Sequence, residues 1–461
     1  MKKRLFAVLL ILTLCLCLLS ACAQKVDSGE WGEGLTWTIY DDGSLVIKGS
    51  GPMDSCIYGA PWNDSEFPFQ TVTVKEGVTS VSGRAFADNE ELTSVALPAG
   101  IEDIGSEAFS GCAALSGITL GEGLTAIGDR AFSGCAALTE IALPESLTDI
   151  GAEAFKNSGL TAVDIPAGVT QIRENTFDSC QSLTAVGLPE GLTAIGDYAF
   201  SACVALTDVV LPDSVKEIGA SAFYACSSLP EIDIPVGVTK IRQSTFNGCS
   251  DLTRVSIPEG VTVIEDFAFK DCSDLTQVEL PKSLTEIYYD AFGGCSDLQH
   301  INISPDLEVM GIGCLDGTAF QEKLNEFLPA SYEEGLQSRE AFPLLGSDGL
   351  RILPINADGI LDFELYRLLP EGMAILDWED ADYALIKHMT LEQRHDYYYV
   401  DTGEEATNVF NTHTGLYLTD REGNCARLTE VLKEPPETGY GFLYGEEAST
   451  EELWAKVKDL F

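Results

Sequence analysis

Residues 135–155 read CAALTEIALPESLTDIGAEAF, and the same wording returns at 249–269 as CSDLTRVSIPEGVTVIEDFAF. The closing phenylalanine recurs as Phe86, Phe109, Phe132, Phe155, Phe177, Phe200, Phe223, Phe246, Phe269 and Phe292, with eight steps of 23 residues and one of 22. Self-similarity at this period marks a stacked-repeat solenoid. Inside each coil, Val/Ile-x-Leu/Ile has the period of a half-buried strand. A proline follows it directly (Pro98, Pro144, Pro166, Pro189, Pro212, Pro235, Pro258, Pro281). Proline has no N–H to give a ladder, so the strand stops there. Thr-x-Ile then makes a second straight run and a corner, and Ala-Phe fills the interior on the return side. One such coil cannot bury its apolar face alone, so its neighbours supply the walls, with strands in parallel register.

The single short step falls in Lys156–Leu160, where Ser158 stands in a slot that is cysteine elsewhere. An eleventh, degenerate turn is expected after the Phe series. In it Leu307, Met310 and Leu315 take the Leu, Ile and Phe slots. Irregular wording suits a closing coil, which meets solvent or another domain.

Of the 14 cysteines, eight share one coil position: Cys112, Cys135, Cys180, Cys203, Cys226, Cys249, Cys272 and Cys295. Asn89, Ser158 and Thr318 fill the same slot in other coils. In an exported chain an even set first suggests disulfides. Identical positions in a parallel stack instead form a ladder of small buried groups, which suits cysteine. Lateral disulfides and a metal array are the alternatives, and no Cys-x-x-Cys or histidine accompanies these cysteines. Cys56, Cys314 and Cys425 have no assigned role.

The coil wording resembles the BspA-like leucine-rich repeats of bacterial surface proteins. The opening segment extends the resemblance: Leu35–Ile39, Asp41-Asp42-Gly43, Ser44–Ile47, Gly49–Met53 and Pro61-Trp62 look like the β-hairpin region that opens such proteins. Two alternating runs around Asp-Gly are in themselves a hairpin signal. The resemblance implies a leucine-rich-repeat solenoid of about 11 coils, used for adhesion or protein contact, and names no ligand. The expected organisation is a signal peptide at 1–21, a linker and β-hairpin cap at 22–70, repeats at 71–320 and an α+β module of unknown family at 321–461.

The first residues carry a positive n-region, Lys2-Lys3-Arg4, and an apolar stretch from Leu5 to Leu19. The stretch is too short for a comfortable membrane span and fits a signal sequence. Leu19-Ser20-Ala21-Cys22 resembles the lipobox of bacterial lipoproteins. That resemblance implies cleavage before Cys22 and a diacylglycerol thioether on its sulfur. Export with anchoring to the outer surface of the bacterial membrane through Cys22 is therefore expected, with no other membrane contact.

Net charge is −46, from 27 basic and 73 acidic residues. Such a surface repels phosphate backbones and argues against nucleic-acid binding. The acidity keeps a long exposed repeat soluble, or steers a basic partner. The outward position of each Val/Ile-x-Leu strand holds Ala96, Thr119, Ala142, Asp164, Gly187, Val210, Asp233, Ser256, Glu279 and Asn302. Small or acidic groups without an aromatic row argue mildly against glycan binding along this strip.

After Phe320 the period stops. Gln321 to about Leu336 reads as helical, broken at Pro329. Short β-like runs follow at 350–353, 374–378, 383–386, 397–400 and 415–418, with a turn at 420–424. Ser449-Thr450-Glu451-Glu452 has capping-box form ahead of a helix with Leu453, Val457, Leu460 and Phe461 on one face. His388, His395 and His413 lie here and could join acids in a metal site, but lack ligand spacing. The tyrosines at 397–399 and Trp378 read as strand core or a stacking platform. No nucleophile-elbow or Cys-His arrangement appears. The favoured reading is a monomeric surface lipoprotein, not an enzyme, without cofactor or metal. Its solenoid contacts a protein of a host or neighbouring cell. The alternative is a repeat stalk displaying a C-terminal ligand-binding or enzymatic module.

Overall fold

The computed structural model of the chain describes residues 23–32, 34–54, 59–303, 306–311, 313–325, 352–356, 369, 383–393, 409–419, 425–433, 443–444 and 448–458. It divides into two units, Met1–Leu275 and Thr276–Phe461.

The first unit opens on the hairpin foreseen from Asp-Gly. Leu35–Tyr40 and Ser44–Gly49 pair antiparallel. The turn is fixed by Asp42, whose carboxylate accepts the Ser44 N–H at 3.0 Å and the Ser44 hydroxyl at 2.6 Å. A third strand, Lys25–Trp31, adds to Leu35–Tyr40, so that the expected hairpin is three-stranded. From Ser44–Gly49 onward the pairing becomes parallel, through Thr71–Val74 and Ser94–Ala96 to Gly117–Thr119.

Two parallel ladders then run along the coils. One is built from the Val/Ile-x-Leu segments, such as Ala162–Asp164 beside Ala185–Gly187. The other is built from the x-Ile segments, such as Ala194–Ile195 beside Glu217–Ile218. The recurrent threonines have a structural task. Thr125, Thr148, Thr184 and Thr193 each donate a hydroxyl to the carbonyl of a residue in the preceding coil, at 2.9 to 3.3 Å. Proline, besides ending the strand, lends its carbonyl to the next turn, as in Leu147 N–H to Pro144 O at 3.0 Å.

The return side is where the phenylalanines sit. Phe86 through Phe269 are fully buried and stack at centroid distances of 5.2 to 5.5 Å. Residues two before each Phe adopt left-handed backbone although none is glycine, for example Glu107, Glu153 and Ser221 at φ 59°, 56° and 54°. Such a corner costs about 1–2 kcal/mol. The corner turns alternate N–H groups toward the next coil: Arg84, Phe86 and Asp88 donate to the carbonyls of Ser106, Ala108 and Ser110. The column begins one element earlier than the Ala-Phe motif indicates. Trp62 lies 5.3 Å above Phe86 in near-parallel contact, and Trp31 closes it edge-on at 4.8 Å.

Among the described residues of this unit two coils interrupt the x-Ile ladder, and they share the wording DIPxGVTxIRxxTF, at 164–177 and 233–246. The slot after Ile holds glycine in neighbouring coils, where its N–H bonds the preceding Ile carbonyl: Gly151 to Ile127, Gly196 to Ile172 and Gly219 to Ile195, each at 2.8 Å. A Cβ on Gly151 or Gly219 would lie 2.4 Å from backbone nitrogen of the preceding coil. Arg173 and Arg242 carry a Cβ in this slot, and neither N–H reaches the preceding coil. The ladders accordingly end at Asp149–Ile150 and Glu217–Ile218 and restart at Gln171–Ile172 and Lys240–Ile241. In place of that bond, Thr176 and Thr245 donate their hydroxyls to the Arg173 and Arg242 carbonyls at 2.9 and 2.7 Å. Glu265 fills the same slot and keeps its bond to Ile241 at 2.9 Å. The arginine wording, rather than any side chain as such, opens these two seams.

The second unit contains the closing coils. Glu286–Ile287 pairs in parallel with Val309–Met310, and Phe292 N–H donates to Cys314 O at 2.9 Å. Leu307 and Leu315 are buried, as the degenerate eleventh turn required. The helix that follows spans Ala319–Asn325, and its continuation toward Leu336 lies outside the described residues. Farther on, Ile352–Asn356, Tyr383–Gln393, Val409–Thr419 and Cys425–Lys433 form a mixed sheet in that order, and Leu443–Tyr444 also pairs with Val409–Thr419. The strands foreseen at 383–386 and 415–418 are longer than read, and Cys425–Lys433 was not foreseen. The runs at 374–378 and 397–400 and the turn at 420–424 fall outside the described residues. Ser449 caps the helix Thr450–Val457 by accepting the Glu452 N–H at 3.1 Å.

Candidate functional site

The outward positions foreseen in the sequence are all exposed, from Ala96 to Asn302, with Val210 at 76%. Charged side chains pair from coil to coil over the surface. Arg84 meets Glu107 at 2.9 Å, Arg130 meets Glu153 at 2.6 Å, Lys156 meets Asp178 at 3.0 Å, and Arg254 reaches Glu231 and Asp233. The Arg130 guanidinium holds the Glu153 carboxyl below its ordinary range. Exposed pairs of this kind are screened by solvent and contribute little to stability.

The cysteine slot is a ladder of free, buried thiols. From Cys112 to Cys272 each Sγ donates to the carbonyl of the phenylalanine in the coil before it. Cys112 to Phe86, Cys135 to Phe109 and Cys226 to Phe200 span 3.1 to 3.2 Å. Burial pushes the thiols of Cys112 and Cys249 up to about 12 and Cys180 up to about 11. Thiolate chemistry is therefore suppressed along the ladder. Ser158 and Asn89 keep the slot's hydrogen-bonding character, through Cys180 Sγ at 3.3 Å and Phe69 O at 3.5 Å. Cys314 is likewise buried and free.

Beside the second seam lies a cavity of about 520 Å³ lined by Lys216, Glu217, Ile218, Gly237, Thr239, Lys240, Arg242 and Glu265. A neighbouring one of about 720 Å³ shares Glu217 and Arg242 and extends past Arg173 to Asp129. Glu265 is occupied, its carboxylate accepting the Gln243 N–H at 3.0 Å. The sequence signal for this place is the repeated Ile-Arg and Thr-Phe replacement, whose meaning depends on how the slot packs against the coil before it.

Among the described residues no group of three or more His, Cys, Asp or Glu could share a metal ion, and no helix is long and apolar enough to cross a membrane. His388 and His413 lie on paired strands, opposite Gly415 and Thr390 respectively. Cys425 opens the strand Cys425–Lys433. The lipidation candidate Cys22, and Cys56, Trp378, His395, Tyr397–Tyr399, Leu460 and Phe461, lie outside the described residues.

Period, parallel ladders and a continuous aromatic column define a leucine-rich-repeat solenoid. The family model described as BspA type leucine rich repeat region matches residues 64–184, 149–249 and 193–322, and the chain belongs to that family. Among solved structures it is similar to a leucine-rich repeat protein from Eubacterium ventriosum, at 23% identity over 64% of this chain and 96% of that one, with a TM-score of 0.44. It is also similar to a leucine rich cell surface protein from Faecalibacterium prausnitzii, at 26% identity over 61% and 96%, TM-score 0.36. The pneumococcal vaccine antigen PcpA matches at 17% identity over 62% and 90%, TM-score 0.33. No curated protein matches the sequence.

Proposed function

We infer that this chain is an exported bacterial surface protein, lipid-anchored at Cys22, whose repeats at 71–320 bind a protein partner. The observation that carries this reading is the repeat surface itself. Small and charged side chains recur at fixed coil positions outside a core closed by its own ladders, which suits extended contact. Membership in the BspA-type family supports a scaffold role, and the lipobox-like Leu19–Cys22 supports the anchor. Adhesion to a host or neighbouring cell follows from surface display of such a scaffold.

A second reading, a repeat stalk presenting the module at 321–461, is favoured by one feature. The C-terminal sheet closes a core of its own, in which Thr414, Leu416 and Leu453 are buried and Ala448 N–H donates to the Thr414 hydroxyl at 3.2 Å. Removing residues 326–461 and measuring capture of surface-labelled host or neighbouring-cell proteins separates the two. Retained saturable capture assigns binding to the repeats; its loss assigns binding to the module. Expression in a bacterium with Cys22→Ala moves the protein out of the membrane fraction and removes the lipid mass from its N-terminal peptide. Unchanged fractionation refutes the anchor.

A further inference from the structure

The two seams are built from the same wording but are closed differently. At the first, Arg173 bridges back to Asp149 of the preceding coil at 2.8 Å. At the second, the corresponding residues Arg242 and Glu217 make no ion pair. Ten lysines and arginines lie between 71 and 275. Five are ion-paired, and Lys270 lies over the Phe267 ring at 5.3 Å. Of the remaining four, Lys216, Lys240 and Arg242 meet at the second seam, where all three are exposed and line one cavity. Where the first seam has Thr148 and Gln171, the second has Lys216 and Lys240. In a chain of net charge −46, the three cations here outnumber the two carboxylates, Glu217 and Glu265, that share the lining.

The backbone ladder is also open at this seam, where the Thr245 hydroxyl alone reaches back, to the Gly219 carbonyl at 3.4 Å. Lys240–Ile241 is the edge strand of its ladder. The Arg242 N–H finds no carbonyl in the preceding coil, and the Ile218 carbonyl receives no N–H from the slot residue. An open strand edge is a template for another chain, whose main-chain groups supply the missing bonds.

We propose that the cleft between Glu217–Ile218 and Lys240–Arg242 binds an extended acidic peptide segment of a protein partner. The partner's carboxylates meet Lys216, Lys240 and Arg242, and its backbone N–H groups serve Glu217 and the open Ile218 carbonyl. The mixed lining selects peptide over a sulfated polysaccharide. A uniformly anionic polymer sets charge against Glu217 and offers the open carbonyl no donor. This inference rests on the reading that the repeats bind protein, and it names the place and the chemistry.

The test uses fluorescence anisotropy of a fluorescein-labelled octapeptide of alternating Glu and Ser against the full chain in mild detergent. Saturable binding that weakens with added salt is expected. Lys216→Gln combined with Lys240→Gln should weaken binding about tenfold or more, while Arg173→Gln at the first seam leaves it unchanged. Arg242→Gly with Thr245→Ala restores the common coil wording and should close the seam. That variant should lose peptide binding with an unfolding midpoint at or above the parent's, which separates site loss from misfolding. Equal affinity in the lysine variant, or displacement of the peptide by a sulfated oligosaccharide, overturns the proposal. If no acidic peptide binds while the repeats still capture a protein, the seam assignment fails and the wider reading stands. If the repeats capture nothing, both fail.

Discussion

Replacing Phe200 by alanine tests the aromatic column where it is most confined. Phe200 is fully buried and stacks on Phe177 and on Phe223, at 5.4 Å in each direction. Removing a buried phenylalanine costs about 3–5 kcal/mol in transfer and cavity energy. Each lost aromatic contact contributes about 0.5–1.5 kcal/mol beyond burial. Both neighbours here are held by the same ladders, so the site has little freedom to collapse, and a loss near 5 kcal/mol is expected. At about 3 kcal/mol per molar urea, the upper end of the usual range and the one that suits a chain of this size, the midpoint should fall by roughly 2 M. Repeat arrays depart from two-state unfolding, so hydrogen exchange should be read beside circular dichroism. Protection should drop first at the amides of Phe177 and Phe200, which donate across the affected coils to Ala199 and Ala222. Val210→Ala, at a 76% exposed position, is the control and should stay within about 0.5 kcal/mol. If Phe200→Ala falls within about 1 kcal/mol of that control, the column is not the main stabiliser and the reasoning is wrong.

Trp62→Ala should cost about 3–5 kcal/mol by urea titration, whereas Trp62→Phe keeps the column and loses mainly the 2.9 Å bond to Ala85 O, about 1 kcal/mol. Cys135→Ser should be milder than Cys135→Val, because serine can still donate to the Phe109 carbonyl and valine cannot; the gap expected is about 1 kcal/mol. Burial raises the folded values of the Cys112, Cys180 and Cys249 thiols above the ordinary 9.0, so their contribution is complete below pH 9 and is lost as pH rises toward 11–12. Urea midpoints should therefore be level up to pH 9 and decline above it, and Ellman's reagent at pH 8 should label the ladder only after denaturation. Ala225→Gly, at a left-handed corner (φ 56°) held by glycine in other coils, should gain up to about 1 kcal/mol in the same titration.

Much of the fold was legible because each coil repeats its own instructions. A phenylalanine every 23 residues, a strand alternation, a proline stop and a small slot for cysteine say where each side chain goes, and the structure places them so. The hairpin at Asp41–Gly43 and the serine cap at Ser449 were equally local, since a turn or a cap is decided by a few neighbouring residues. Trp62 escaped because it lies outside the Ala-Phe motif, and only stacking shows an indole continuing a benzyl column. The strands at Tyr383–Gln393 and Cys425–Lys433 escaped in length or altogether because strand formation depends on cross-strand neighbours more than on intrinsic preference.

The amino-acid order alone determined the period, the interior and exterior faces, and the family, since these follow from how apolar residues space themselves along one coil. Only the tertiary structure decided which coils join and which part. An arginine in the glycine slot reads as one more surface charge, yet in both coils that carry it the slot N–H no longer reaches the Ile carbonyl of the coil before. That contact is set by the 4.8 Å approach of stacked chains, a distance no single coil contains.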